Sequence, residues 1–269
     1  MVSPSLIVTD LDGTLWRTDD VVDARAVAAL RHVADQGPPL LIATGRRVTS
    51  TRAPLARIGV APPAIVLNGA LGLDLASNAR FHRMPFAAAD AAAVLDGFVS
   101  AGLDPCIYVD DPQVEVLVST TPSTNPGHLG DLGSSAGVAD LAAAVWTATV
   151  LAFSIIGAPL DDLEELPGIL GHLAEVHIDR SLDYPGTASV TIAPLGQSKW
   201  DGVTAFCVAH GLDDTRVVAL GDGPNDVELL TRASLSLVPE DAHPAALELA
   251  DRVIPSAAEG GWSAVLELL

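Results

Sequence analysis

The chain has 269 residues, enough for one large domain or two modest ones with a sizeable core in either case. Hydrophobic residues make up 49% and aromatics only 4%, so the chain is not disordered and aliphatic packing must supply most of its core. A formal net charge of −20 serves solubility; it repels the phosphate backbone and anionic membrane surfaces, which argues against nucleic acid and membrane as partners.

The two cysteines, Cys106 and Cys207, lie in apolar settings and form no C-x-x-C pair, so they read as buried free thiols of a reducing compartment. No basic stretch followed by an apolar run and a small-residue cleavage site is found at the start, and a cytoplasmic location is expected. The uncharged stretch Leu141 to Leu160 has the length of a membrane span. Its Gly157, Pro159 and acidic flanks instead predict a helix end followed by a buried strand, Thr147 to Ile156.

In chain order, Leu6-Ile7-Val8 is an apolar run ending at Thr9-Asp10. A helical pattern through Val27, Leu30 and Val33 follows, then a strand over Leu40 to Ala43, a helix from Thr49 to Ile58, and a third run over Ala64 to Leu67. Such alternation predicts an α/β fold, a Rossmann-like parallel sheet with helices on both faces and right-handed crossovers. The last third repeats the grammar: strand Val217 to Leu220, helix Asn225 to Arg232, short strands near Leu235 and Val253, and a closing helix.

The middle reads differently. Helix Ala87 to Val99 leads to Cys106 to Val109, a turn at Asp110 to Pro112, and Val114 to Val118, a hairpin signal. A polar segment, Ser119 to Ala136, is a candidate mobile loop. A helix, the strand near Val150, a helix from Asp161 to Leu173 and strands near Val176 and Val190 complete an inserted α+β segment. The expected division is 1–84 with 194–269 as the α/β core and 85–193 as the insert, with Pro85 and Pro194 near the crossings.

Four segments carry chemistry. Asp10-Leu11-Asp12-Gly13-Thr14 follows a strand, where parallel sheets bind ligands. Two carboxylates two residues apart suit a hard cation. Asp10 has the chemistry of a nucleophile toward phosphorus, and Asp12 that of a general acid and base. Asp222, in Gly221-Asp222-Gly223-Pro224-Asn225-Asp226, ends another strand and completes an oxygen shell, with Asn225 and Asp226 in support. Lys199 is the only lysine beside thirteen arginines, and a compact ammonium suits a place between a carboxylate and a phosphate. Thr44, with Gly45 and Arg46, ends the second strand and can hold a phosphate oxygen; Asn68-Gly69 ends the third. Taken one at a time, the three loop segments also read as turns or helix caps, and Lys199 as a chance surface lysine.

Together and in this order, Asp10-x-Asp12-Gly13-Thr14, Thr44-Gly45-Arg46, Lys199 and Gly221-Asp222-x-x-Asn225-Asp226 resemble the haloacid dehalogenase (HAD) superfamily of phosphatases. The place and element order of the insert resemble its second cap type, and Asn68-Gly69-Ala70, Ala242-His243-Pro244 and Ala250 to Ile254 are similar to its Cof-type subgroup. Trp200 stands after Lys199 where that subgroup usually has Gly. The resemblance implies an Mg2+-dependent hydrolase of small phosphate monoesters, sugar phosphates above all. It implies Asp10 as nucleophile, Asp12 as acid and base, and Thr44 and Lys199 on the phosphate. The metal would lie on Asp10, Asp12 and Asp222, with Asn225 and Asp226 supporting it and Gly45, Arg46 and Asn68 near the substrate. A phosphomutase of the same architecture shares every motif. A phospho-accepting signalling module and a non-catalytic metabolite binder are readings from other classes.

Overall fold

A computed structural model describes residues 3–17, 20–181 and 184–269. The chain divides into two compact units, Met1–Arg83 with Ser198–Leu269, and Met84–Gln197. Fourteen strands are described, β1 to β14. In the first unit lie β1 (Leu6–Thr9), β2 (Leu40–Ala43), β3 (Pro63–Val66), β4 (Leu71–Asp74) and β5 (Arg80–Arg83). The second unit holds β6 (Cys106–Val109), β7 (Val116–Val118), β8 (Ala136–Val138), β9 (Val150–Ala158), β10 (Glu175–Arg180) and β11 (Ala188–Ala193). The chain then returns to the first unit with β12 (Val217–Leu220), β13 (Leu235–Pro239) and β14 (Arg252–Ile254).

The first unit is one eight-stranded sheet in the order β14-β13-β12-β1-β2-β3-β4-β5. The six strands from β14 to β3 run parallel, and β4 and β5 add an antiparallel edge. Strands β1, β2 and β12 are buried along their whole length, which is why each reads as an unbroken apolar run. Strand β1 pairs with β2 on one side and β12 on the other, so the winding reverses there, the place at which open parallel sheets bind ligands.

Two long helices show how the sequence sets its own limits. Asp23 caps Ala24–Gln36 by accepting from Arg25 N at 2.8 Å; Ala26, Ala29, Leu30 and Val33 form the buried stripe, and Gly37 ends it. Ser198 and Asp201 form a capping box at the start of Lys199–His210, and Gly211, at φ 65°, closes it. Lys199 is therefore the first helical residue, anchored by its backbone before its side chain does anything.

The second unit is a six-stranded sheet in the order β10-β11-β9-β6-β7-β8. Its apolar core gathers Phe98, Ile107, Ile155, Leu166, Leu170 and Ile192, with Phe153 in ring contact with Phe86 at 5.5 Å and Phe98 at 6.1 Å. Helix Ala88–Ser100 packs on Leu166–Leu170 through Gly97, where a Cβ would lie 2.3 Å from Leu170 Cδ2.

Several expectations are corrected. The hairpin β4–β5 was not foreseen. The helix expected over Asp161 to Leu173 is two short pieces, Leu160–Leu163 and Leu166–Leu170, because Pro167 suits only a helix's first turn. The polar segment Ser119 to Ala136 contains helix Pro126–Leu132, capped by Asn125, and leads into β8, which pairs with β7. Strand β9 starts at Val150 because the preceding turn runs on to Thr147, whose hydroxyl bonds back to Ala143 O and Ala144 O. The closing helix is a 3-10 turn, Gly261–Leu268. No helix among the described residues is long and apolar enough to cross a membrane.

Candidate active site

The carboxyl ends of β1, β2, β3 and β12 converge in the first unit. Asp10 stays in register beyond β1, donating its N–H to Leu220 O at 2.9 Å, and is buried. Its Oδ1 accepts from Lys199 Nζ at 3.0 Å. The same ammonium donates to Asp226 Oδ1 at 2.6 Å, and all three side chains are almost wholly shielded from solvent. The other oxygen of Asp226 accepts from the N–H groups of Asp222 and Gly223, each at 3.0 Å. Asp226 thereby ties the loop after β12 to the lysine.

That loop is also tied to the loop after β1. Thr14 Oγ1 donates to Asp222 Oδ1 at 2.9 Å. Gly13, at φ +78°, passes so close that a Cβ there would lie 2.1 Å from Asp222 Oδ2. Glycine is needed on both counts, backbone angle and space.

At the end of β2, Thr44 is 1% exposed and its hydroxyl oxygen accepts from Arg46 N at 3.2 Å. The Arg46 guanidinium forks onto Asp12, with Nε 2.6 Å from Oδ2 and Nη2 2.5 Å from Oδ1, and Nη1 lies 2.6 Å from Asp20 Oδ1. At the end of β3, Leu67 and Asn68 both have positive φ, 51° and 54°. Two consecutive non-glycine residues in that region cost of order 1–3 kcal/mol each. Asn68 Oδ1 accepts from Asn225 Nδ2 at 3.0 Å, and a Cβ on Gly45 would lie 3.0 Å from the same oxygen.

Hydrogen bonds thus join Asp10, Lys199, Asp222 and Asp226 directly, and Thr44 to Asp12 through Arg46. Asn68 pairs with Asn225 through its side chain and donates its N–H to Thr44 O at 3.1 Å. Arg46, expected near the substrate, is held by two carboxylates. Asp226, expected to support a metal, has its oxygens on Lys199 and on its own loop. Trp200 faces the apolar core, with Arg232 5.4 Å from its ring. Sequence reasoning missed Trp16, Asp20 and Trp262. Trp262 Nε1 donates to Thr9 Oγ1 at 2.9 Å, and that hydroxyl donates to Asp10 O, which steadies the backbone of the central aspartate.

Burial pushes the Asp10 carboxyl well above its ordinary range; Lys199 works against this, while Asp226, Asp222 and Asp12 add to it. Burial and then the Asp226 charge push Asp222 up to about 7. Burial opposes the charge on Lys199, but Asp10 and Asp226 outweigh it and raise its pKa. The site is therefore short of positive charge. Asp10, Asp222 and Asp226 each bring a carboxylate oxygen within 4.8 Å of the others, a set of oxygen donors that fits a hard divalent cation. Cys106 and Cys207 are buried elsewhere, and burial pushes the Cys106 thiol up to about 12.

A model of the haloacid dehalogenase-like hydrolases matches residues 7–266. The chain belongs to this family. As a HAD-like hydrolase it is 29% identical over 260 residues to a phosphoglycolate phosphatase of Haloarcula marismortui, covering 97% of this chain and 94% of that one. It is 26% identical over 260 residues to the pyridoxal phosphate phosphatase of Escherichia coli, covering 93% and 92%. Its fold matches that of a sugar phosphatase of HAD subclass IIB with a TM-score of 0.76 at 19% identity, over 98% of each chain.

Proposed function

We propose that this protein is an Mg2+-dependent phosphatase of a small phosphorylated metabolite, a sugar phosphate foremost, with Asp10 as covalent nucleophile. The observation that carries the reading is the buried Asp10–Lys199–Asp226 line at the end of the central strand. A carboxylate sealed from water beside an ammonium is costly for stability and suited to attack on an anionic phosphorus centre.

Phosphoryl transfer asks the protein mainly for position and charge. An Asp10 oxygen bonds to phosphorus as the bond to the leaving oxygen breaks, and Asp12 gives that oxygen a proton. Asp12, now a carboxylate, takes a proton from the water that attacks the aspartyl-phosphate. Inorganic phosphate departs and Asp10 is restored. Lys199 and the Thr44 hydroxyl hold the non-bridging oxygens. Asp226 aims the lysine, and Asn225 fixes Asn68 beside Gly45. The Asp10 and Asp222 carboxylates and the Asp12 carbonyl would hold Mg2+, and the bound ion would supply the countercharge that lets one anion approach another. Selection of the leaving group is assigned to the inserted unit, as a cap.

Phosphate release from a panel of sugar phosphates and other small esters, with and without Mg2+, tests the reading. Magnesium-dependent release that disappears in Asp10→Asn, with the circular dichroism spectrum unchanged, is expected. Isomerised substrate without released phosphate would identify a mutase. Full activity in Asp10→Asn would overturn the nucleophile.

A further inference from the structure

Asp12 is held from two sides, and one of them is a residue with no part in the chemistry above. Trp16 is wholly buried, and its indole Nε1 donates to Asp12 Oδ1 at 3.1 Å. The loop closes on itself to make this possible: Gly13 N–H donates to Trp16 O at 2.8 Å, and Trp16 N–H to Leu11 O at 3.1 Å. The same indole carries the Arg46 guanidinium over its ring, 5.2 Å from the centroid. One side chain therefore touches both the proposed acid and base and the arginine that forks onto it.

The two holds differ in kind. The Arg46 fork is charge-assisted and is strong only while Asp12 is a carboxylate. An indole N–H is a neutral donor, and it can bond a carboxylate oxygen or, more weakly, the carbonyl oxygen of a protonated carboxyl. In the proposed cycle Asp12 starts protonated, gives its proton to the leaving oxygen, and takes one back from water. Arg46 has somewhere to go while Asp12 is neutral, because its Nη1 already lies 2.6 Å from Asp20 Oδ1 and 3.2 Å from Ser50 O. Trp16 needs no such alternative.

We propose that Trp16 is a positioning residue that fixes the Asp12 side chain through Oδ1, beside the Arg46 fork that reaches both oxygens. This rests on the reading of Asp12 as the acid that protonates the leaving group.

The test uses leaving-group dependence. A nitrophenolate leaves without a proton, whereas an alkoxide does not, so misplacing the acid harms only alkyl esters. Trp16→Phe keeps a ring under Arg46 and removes the donor. kcat/KM, which reports steps up to the aspartyl-phosphate, is measured on an active alkyl phosphate and on p-nitrophenyl phosphate. We expect about a tenfold fall on the alkyl ester, a fraction of the roughly 100- to 10,000-fold range of acid–base assistance, and less than about a twofold change on the aryl ester. In an Asp12→Asn background the same replacement should change neither, because the group it positions is gone. Equal losses on both esters, or a full further loss in the double variant, would show that Trp16 acts through packing and overturn the proposal. Trp16→Leu, which also lacks a side-chain donor, carries the test if Trp16→Phe does not fold. If Asp12→Asn alone fails to discriminate between the esters, the acid assignment itself falls; if it discriminates and Trp16→Phe does not, only the positioning role falls.

Discussion

The two units spend burial differently. Among the described residues, the buried charged side chains are Asp10, Lys199 and Asp226, all in the first unit. The second unit buries Thr124 and Ser154, each donating to a backbone carbonyl, and no charge. Its charges lie outside instead: residues 84–197 carry fifteen Asp and Glu against a single Arg180 and no lysine, while the rest of the chain has nineteen acids and thirteen bases. One unit holds costly charge inside, where the proposed chemistry would use it. The other is an apolar α+β core wearing a strongly negative coat.

The sharpest break of that comparison sets the only lysine against the insert's only cation. Lys199→Met strips the countercharge from two buried carboxylates, and breaking such a pair costs about 3–5 kcal/mol. Urea unfolding should show that loss, and phosphate release should vanish. Arg180→Met, at an exposed strand end, should change stability by less than about 0.5 kcal/mol. Comparable effects from the two substitutions would mean that Lys199 is not an internal charge holding the site together.

Much of this site was legible because parallel strands are buried on both faces and read as unbroken apolar runs. Asp10, Thr44 and Asp222 stand out as the polar residues that end those runs. Lys199 stood out by scarcity. What stayed hidden depends on contacts between distant positions. Nothing near Arg46 says that its fork closes on Asp12, 34 residues away in sequence. Trp16 carries no local sign that its indole reaches Asp12, four residues before it. Strand β5, Arg-Phe-His-Arg, lacks an alternating apolar pattern, and β4 carries Gly72, a residue that strands disfavour. Its missing side chain is what lets Phe81 lie against the strand, where a Cβ would be 2.4 Å from the ring. The broken helix at Leu163 to Leu166 reflects Pro167, whose position was visible and was not used.

The next effect is a pH dependence confined to the first unit. A carboxyl raised in the folded state binds its proton more tightly there than in the unfolded chain. Between its ordinary value of 3.8 and about 7, folded Asp222 therefore holds more proton than unfolded Asp222, and stability falls as pH rises through that window. Asp10 is raised too and acts in the same direction. In EDTA, the melting temperature should drop from pH 5 to pH 8 by several degrees. Mg2+ should restore it at pH 8 and do little at pH 5, where protons compete for the same oxygens. Asp222→Asn should flatten both the pH and the metal effect. An EDTA-treated protein equally stable at both pH values would remove the case for a charge-starved site.

The smallest expected effect belongs to the other side of the comparison, the negative coat. Fifteen acids on 114 residues create a field that reaches about 30 Å at 0.01 M salt and only about 8 Å at physiological salt. At low salt it repels an incoming anion whatever the detailed path. The nearby cations of the first unit, Lys199 and Arg46, are already committed to carboxylates and cannot compensate a second negative group. Three esters of equal size separate the cases: phosphoglycolate, with an anionic leaving group, ethylene glycol phosphate, neutral, and phosphoethanolamine, cationic. At 10 mM ionic strength kcat/KM should be lowest for phosphoglycolate, by roughly tenfold, and the gap should shrink to about twofold at 0.5 M. Phosphoglycolate preferred at low salt would overturn that expectation.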